Sequence, residues 1–133
     1  MAANRAVVVD HAVPGTLAIH EVAPPTPLPS EALVRVAAIA LNRGETRRAM
    51  EAADGWCPGW DLAGVVVQAA ADGAGPRAGA RVVGFLRSGA WAECVAVPTN
   101  ALAEVPDAVT LIIVPSSVST STLGMQVHTK AAT

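Results

Sequence analysis

The chain has no tyrosine, one phenylalanine, two cysteines and, at Lys130, a single lysine among its 133 residues. Each scarcity removes a class of chemistry. Without tyrosine there is no phenolic proton donor, a common choice for carbonyl or enone reduction, so a proton must come from another group or from water. Cys57 and Cys94 form no CxxC pair and no Cys/His cluster, which excludes zinc-finger spacing and a disulfide framework. They read as small hydrophobes. Charged residues make up 15% of the chain and the formal net charge is -2, leaving no electrostatic footprint for a phosphate backbone or anionic lipid. No stretch approaches the roughly 18 uninterrupted apolar residues of a membrane helix. Residues 1–5 do not open a signal-peptide pattern. The expectation is a cytoplasmic protein without nucleic-acid or membrane partners.

What is present is a succession of short strand signals. Residues 5–10 and 17–22 are apolar and partly β-branched, and Val13, Pro14, Gly15 and Thr16 supply turn chemistry between them, as in a hairpin. Pro24, Pro25, Pro27 and Pro29 remove donors and fix φ, which predicts an extended connector over residues 23–30. A long strand is expected over residues 31–41, with Arg35 on the face opposite Val34, Val36 and Ala38. Residues 42–53 are polar and rich in helix formers, so a short helix interrupts the β pattern. Strands return over residues 62–70, 80–86 and 90–97, separated by Gly- and Pro-containing breaks. Many short strands with one helical excursion favour a mainly β, partly open barrel with one or two short helices over an alternating βαβ sheet.

Composition divides the chain near Thr110. The first part, 1–109, is expected to be one domain of sufficient size for a core. Residues 110–133 hold Ser116, Ser117, Ser119, Thr120, Ser121, Thr122, Thr129 and Thr133. They are expected to form a divergent, weakly ordered tail, a frameshifted end being one explanation, with one further strand over residues 111–114.

Five ordered segments carry a family resemblance. Glu31-Ala32-Leu33-Val34-Arg35-Val36, Ala40-Leu41-Asn42-Arg43-Gly44-Glu45, Pro58-Gly59-Trp60-Asp61-Leu62-Ala63-Gly64, Gly79-Ala80-Arg81-Val82-Val83-Gly84 and Gly89-Ala90-Trp91-Ala92-Glu93 resemble the central strand, following loop, signature turn, Gly-Asp-Arg-Val element and Gly-aromatic-Ala-Glu segment of the medium-chain dehydrogenase/reductase superfamily. The stretch 102–107 resembles the end of the same domain. The match is to the GroES-like catalytic domain, and most resembles zinc-independent quinone oxidoreductases. Members continue into a Rossmann domain that binds NADPH or NADH, and none is expected here. The string Gly73-Ala74-Gly75-Pro76-Arg77-Ala78 formally fits G-x-G-x-x-A. It reads as a surface turn, because a strand pattern follows where phosphate binding needs a helix N-terminus.

The resemblance also points to site residues. In zinc-dependent relatives a Cys in the loop after the central strand and a His in the signature turn hold the metal. Asn42 and Trp60 stand there in this sequence, so three protein ligands for zinc are not presented. Asn42 is the leading candidate for catalysis and cofactor contact, its amide bonding substrate or the nicotinamide ribose, or else capping its loop. Arg43 is placed either at a developing oxyanion or in a surface ion pair with Glu45 or Glu51. Trp60 walls a substrate pocket or plugs the core, Asp61 binds substrate or stabilises its turn, and Phe85 lines the cleft or belongs to the core. His11, His20 and His128 are expected to be solvated or structural.

The resemblance implies hydride transfer from NAD(P)H to a quinone, enone or carbonyl substrate, with no zinc and no stable cofactor binding by this chain alone. Alternatives are a non-enzymatic GroES-like binding or assembly module, and a half-enzyme completed in trans by a Rossmann-domain partner.

Overall fold

The computed structural model describes residues 3–109 and, for the backbone alone, residues 113–114 and 126–127. Two antiparallel strands, β1 (Asn4–Val9) and β2 (Leu17–Val22), form the expected hairpin. The extended connector over residues 23–28 leads into β3 (Glu31–Ile39). Helix α1 (Arg43–Glu51) follows, then β4 (Asp61–Gln68), β5 (Arg81–Phe85), β6 (Cys94–Pro98), a single 3-10 turn (Thr99–Ala101) and β7 (Leu102–Glu104). The last five strands named before and after α1 make one antiparallel sheet in the order β6-β3-β4-β5-β7. Its edges β6 and β7 do not pair with each other, so the sheet curls into a partly open half-barrel, as the strand pattern predicts.

The hairpin is stitched to this sheet by residues 91–93. Val7 N–H donates to Trp91 O, Glu93 N–H to Arg5 O and Val36 N–H to Glu93 O, so one short segment bonds both β1 and β3. Asn4, buried, extends the seam: its Nδ2 donates to Cys94 O and its Oδ1 accepts from Cys94 N–H, both at 3.0 Å. The expected strand over residues 90–97 is therefore corrected. Regular pairing starts only at Cys94, because the backbone of Ala90 and Trp91 donates instead to the carbonyls of Gly59 and Pro58.

Burial alternates along β6, whereas β3, β4 and β5 are buried on both faces over Ala32–Val34, Leu62–Gly64 and Val82–Gly84, with Ala63, Val83 and Val105 forming a second, smaller cluster. Val34, Leu62, Val66, Val82 and Val97 are completely or almost completely buried in one cluster with Ala32, Ala90 and Trp91. A Val or Leu side chain fully removed from water contributes about 1.5–3 kcal/mol, so this cluster is the main source of stability. Arg35 lies exposed on the other face of β3, as expected. Two register shifts in β3, between Leu33 and Val34 and between Val36 and Ala38, bend the strand and let it pair with β4 along most of its length. Where β3 and β4 cross most closely, a Cβ on Gly64 would stand 2.1 Å from Arg35 O, so only glycine fits.

Two sequence elements have structural explanations. Arg81 holds the segment after β7: its guanidinium donates to Pro106 O at 3.0 Å, Asp107 O at 3.2 Å and Val109 O. The Gly73–Ala78 string lies in the turn between β4 and β5, where Asp72 Oδ1 accepts from Ala74 N–H at 2.9 Å. Strand β5 follows it, so no helix N-terminus exists there to receive phosphate. The expected tail over residues 110–133 lies outside the described residues, apart from β8 (Ile113–Val114) paired with β9 (Gln126–Val127).

Candidate functional site

The site forms where the loop after β3, the first turn of α1 and the entrance to β4 converge. Asn42 is the N-cap of α1 in position, with extended backbone (φ -113°, ψ 148°), and its carbonyl accepts from Glu45 N–H at 3.1 Å. Its side chain makes no cap bond. Instead Asn42 Nδ2 donates to Glu45 Oε1 at 3.0 Å and to Asp61 Oδ2 at 3.3 Å. Trp60 N–H donates to the same Glu45 Oε1 at 3.3 Å. One amide thus bridges two carboxyl groups that are 16 positions apart in the chain.

Glu45 is the residue that sequence reasoning misplaced. An ion pair between Arg43 and Glu45 at the surface was one expectation; the glutamate is fully buried, at 0% exposure, and Arg43 is exposed with no carboxylate within ion-pair distance among the described residues. The two cannot meet, because Glu45 turns under the helix start toward Asn42 while Arg43 lies on the outer side. Glu45 Oε2 is the one buried side-chain oxygen or nitrogen without a partner among the described residues. A signal for it existed: a carboxylate three positions after an N-cap residue is the spacing at which an N3 Glu reaches back to the cap. Here it bonds the cap's side chain rather than its backbone.

Electrostatics follow from this burial. Desolvation pushes the Glu45 carboxyl above the usual glutamate range; the bonds from Asn42 and from Trp60 N–H pull it back, and the charge on Asp61 adds to the rise. Asp61 is raised as well, by desolvation first, with the bond from Asn42 acting against it. Two carboxyl groups sharing one amide are thus both shifted toward the neutral form.

Trp60 is half-buried, and its ring covers the start of α1: a Cβ on Gly44 would come within 2.7 Å of Trp60 Cη2. Phe85 is also half-buried and stands directly opposite Asp61 in the β4–β5 register. Directly opposed residues of neighbouring strands point to the same side, so Phe85 and Asp61 share a face. Neither Trp60 nor Phe85 packs in either buried cluster. All five residues singled out from the sequence therefore lie around one corner of the sheet, with Arg43 at its outer rim. Leu41, 61% exposed, precedes Asn42 at the same corner.

Other candidates lie elsewhere. His11 Nε2 bonds Ala52 O at 2.8 Å and His20 Nε2 sits 3.2 Å from Asp10 on the hairpin surface; His128 is outside the described residues. Both cysteines are free and half-buried. Burial pushes the Cys57 thiol up to about 11, so it stays protonated at neutral pH and is a poor nucleophile. Among the described residues no three His, Cys, Asp or Glu are grouped as metal ligands, and no helix is long and apolar enough to cross a membrane.

Comparisons with known proteins agree with this architecture. The chain is similar to human synaptic vesicle membrane protein VAT-1 homolog-like protein, at 27% identity and a TM-score of 0.75 over 81% of this chain and 36% of that one. It is similar to the quinone oxidoreductase of Pseudomonas syringae pv. tomato DC3000, at 25% identity and a TM-score of 0.70 over 80% of this chain and 35% of that one. The quinone oxidoreductase of Thermus thermophilus, whose structure includes a complex with NADPH, matches at 26% identity and a TM-score of 0.63, over 80% of this chain and 34% of that one. The chain thus spans about a third of the length of the solved relatives it resembles. A search of the curated proteins finds no match. Residues 28–107 match the model for the alcohol dehydrogenase GroES-like domain, and with the half-barrel and signature turn in place the chain belongs to that family, within the medium-chain dehydrogenase/reductase superfamily.

Proposed function

We propose that this chain is the substrate-side barrel of a zinc-independent, NAD(P)H-dependent oxidoreductase that reduces a quinone, enone or related carbonyl compound. The observation that carries this reading is the occupation of the two expected metal positions. Asn42 spends both amide hydrogens on Glu45 and Asp61, and Trp60 offers an indole ring where a zinc-holding relative presents imidazole. An amide and an indole do not replace thiolate and imidazole as zinc ligands. Hydride chemistry then belongs to the nicotinamide, while the protein orients the reactants and excludes water. Trp60 and Phe85 supply the apolar walls, and Asp61 and Asn42 the polar floor, with Glu45 buried beneath them.

The described residues fit only one end of such a cofactor. They offer Asn42 and the two aromatic rings to a nicotinamide or substrate ring, but no glycine turn opening a helix for the pyrophosphate. Stable binding therefore requires another body, either further chain or a Rossmann-domain partner in trans. Exposed Leu41 beside Asn42 favours such a covering surface.

Mixing the 133-residue chain with NADPH and a quinone, and following the nicotinamide absorbance, tests the reading: no turnover is expected until a dinucleotide-binding domain is supplied. Turnover by the chain alone, or one equivalent of tightly bound zinc by elemental analysis, overturns it.

A further inference from the structure

We propose that Glu45 is a positioning residue that locks the Asn42 amide with its NH2 on the two carboxyls, so that Asn42 meets a hydroxyl or N–H donor of the bound substrate or nicotinamide and leaves the substrate's carbonyl oxygen to another group. The inference rests on Asn42 facing ligand, as proposed above, and adds the polarity of what it accepts.

The geometry leaves one arrangement. Asn42 has two neighbours across its amide edge, Glu45 Oε1 at 3.0 Å and Asp61 Oδ2 at 3.3 Å, and both are carboxyl oxygens. Glu45 Oε1 also accepts Trp60 N–H at 3.3 Å, so it receives two donors and any proton on that carboxyl sits on Oε2. An oxygen already accepting twice cannot donate back to the amide. With Asp61 ionised, or holding its proton on Oδ1, rotating Asn42 by half a turn would set its carbonyl against two acceptors and strand both N–H groups, a loss of two hydrogen bonds and a repulsion. The NH2 is therefore fixed inward and Oδ1 outward, with no donor from the described residues. Asn42 itself is half-buried, so a ligand lying against Trp60 and Phe85 can reach it. The ligand class is an aromatic or apolar body bearing a hydroxyl or N–H group.

Buried Glu45 is what makes the lock one-sided. Asp61 alone would hold one amide hydrogen and leave the other free to exchange with water.

Nuclear magnetic resonance of the whole chain tests this without any cofactor or turnover, so a failure here is distinct from a failure of the oxidoreductase reading. The two Asn42 Hδ2 protons are expected to be well separated and slow to exchange, in the wild type and in Glu45→Gln, whose amide oxygen still accepts. In Glu45→Leu their exchange should rise about tenfold, the factor for one lost hydrogen bond of ordinary strength, while the Val34 and Leu62 backbone amides stay protected. Fast exchange in the wild type, or no change in a folded Glu45→Leu, overturns the lock. Should Glu45→Leu fail to fold, the wild type still decides the polarity. Phenol, a donor, is expected to shift the Asn42 carbonyl carbon, whereas anisole, the same ring with its hydroxyl capped, shifts only the Trp60 indole. Equal shifts from both, or no carbonyl shift with phenol while the indole responds, overturn the acceptor assignment. So does the absence of any response to phenol up to its solubility limit.

Discussion

Trp60 belongs to the signature turn and Trp91 packs on it, yet the two occupy opposite physical regimes. Trp91 is 3% exposed, donates its indole N–H to Ala40 O at 3.1 Å inside the barrel, and presses so closely on Gly59 that a Cβ there would lie 2.6 Å from its backbone nitrogen. Trp60 is half-buried, its indole N–H has no partner among the described residues, and its ring lies against Gly44 at the start of α1. One peptide apart in the turn, Gly59 serves the apolar core and Trp60 serves the polar corner. The difference teaches that this turn is a boundary between two environments: a core that tolerates no change of volume and a polar corner that stays partly exposed.

The sharpest way to break that division is to act on Gly59. Its φ of 117° and the Trp91 contact make Gly59→Ala strained twice over, so urea unfolding should report a loss of about 3 kcal/mol or more. A midpoint unchanged from wild type would show that the turn is not fixed by the core. The paired tryptophan substitutions come next in size. Trp91→Phe removes a buried donor and leaves Ala40 O unsatisfied, costing about 2–4 kcal/mol, whereas Trp60→Phe should cost less than about 1 kcal/mol. Equal losses would abolish the contrast.

A smaller effect sharpens the chemistry of the polar corner. Because Glu45 and Asp61 are both raised in the folded chain, the folded state binds more protons than the unfolded one over the window from the ordinary carboxyl range up to their raised values. Stability is therefore fully present below that range and falls as pH climbs through it. Glu45→Gln should flatten part of this decline and Asp61→Asn the remainder, as read from midpoints across a pH series. A slope that persists in the double variant would place its origin elsewhere. Smallest of all is Arg5→Ala. The Arg5–Glu93 pair spans 2.6 Å but is exposed on both sides, at 64% and 47%, so solvent and salt screen it and the unfolding midpoint should move little.

How far the sequence could be read differs between these regions for physical reasons. The strands around the core were legible because a half-buried strand writes its burial into alternate positions, as along Val34, Val36 and Ala38 or Val95 and Val97. The boundary errors fall where backbone bonds leave the strand, at Ala90 and Trp91, which pair with the turn at Pro58 and Gly59 instead. At the site, Asn42, Arg43, Trp60, Asp61 and Phe85 were found through resemblance, and the tertiary structure brings them to one corner. Glu45 was not. Its spacing from Asn42 signals a bond to the helix start, but nothing in the helix period reveals what covers it, so a glutamate in the first turn of a polar helix otherwise looks like any solvated charge.

The sequence by itself determined the lineage, the strand order along the chain, the single helical excursion and the presence of Asn42 and Trp60 in the loop and signature turn. These depend on residue type and local spacing. Only the tertiary structure decided that Glu45 is buried, that one amide joins it to Asp61, and that two tryptophans are divided between the core and a half-buried corner. Such outcomes depend on which distant segment closes over a side chain, and desolvation by a non-local neighbour leaves no mark in the residue it buries.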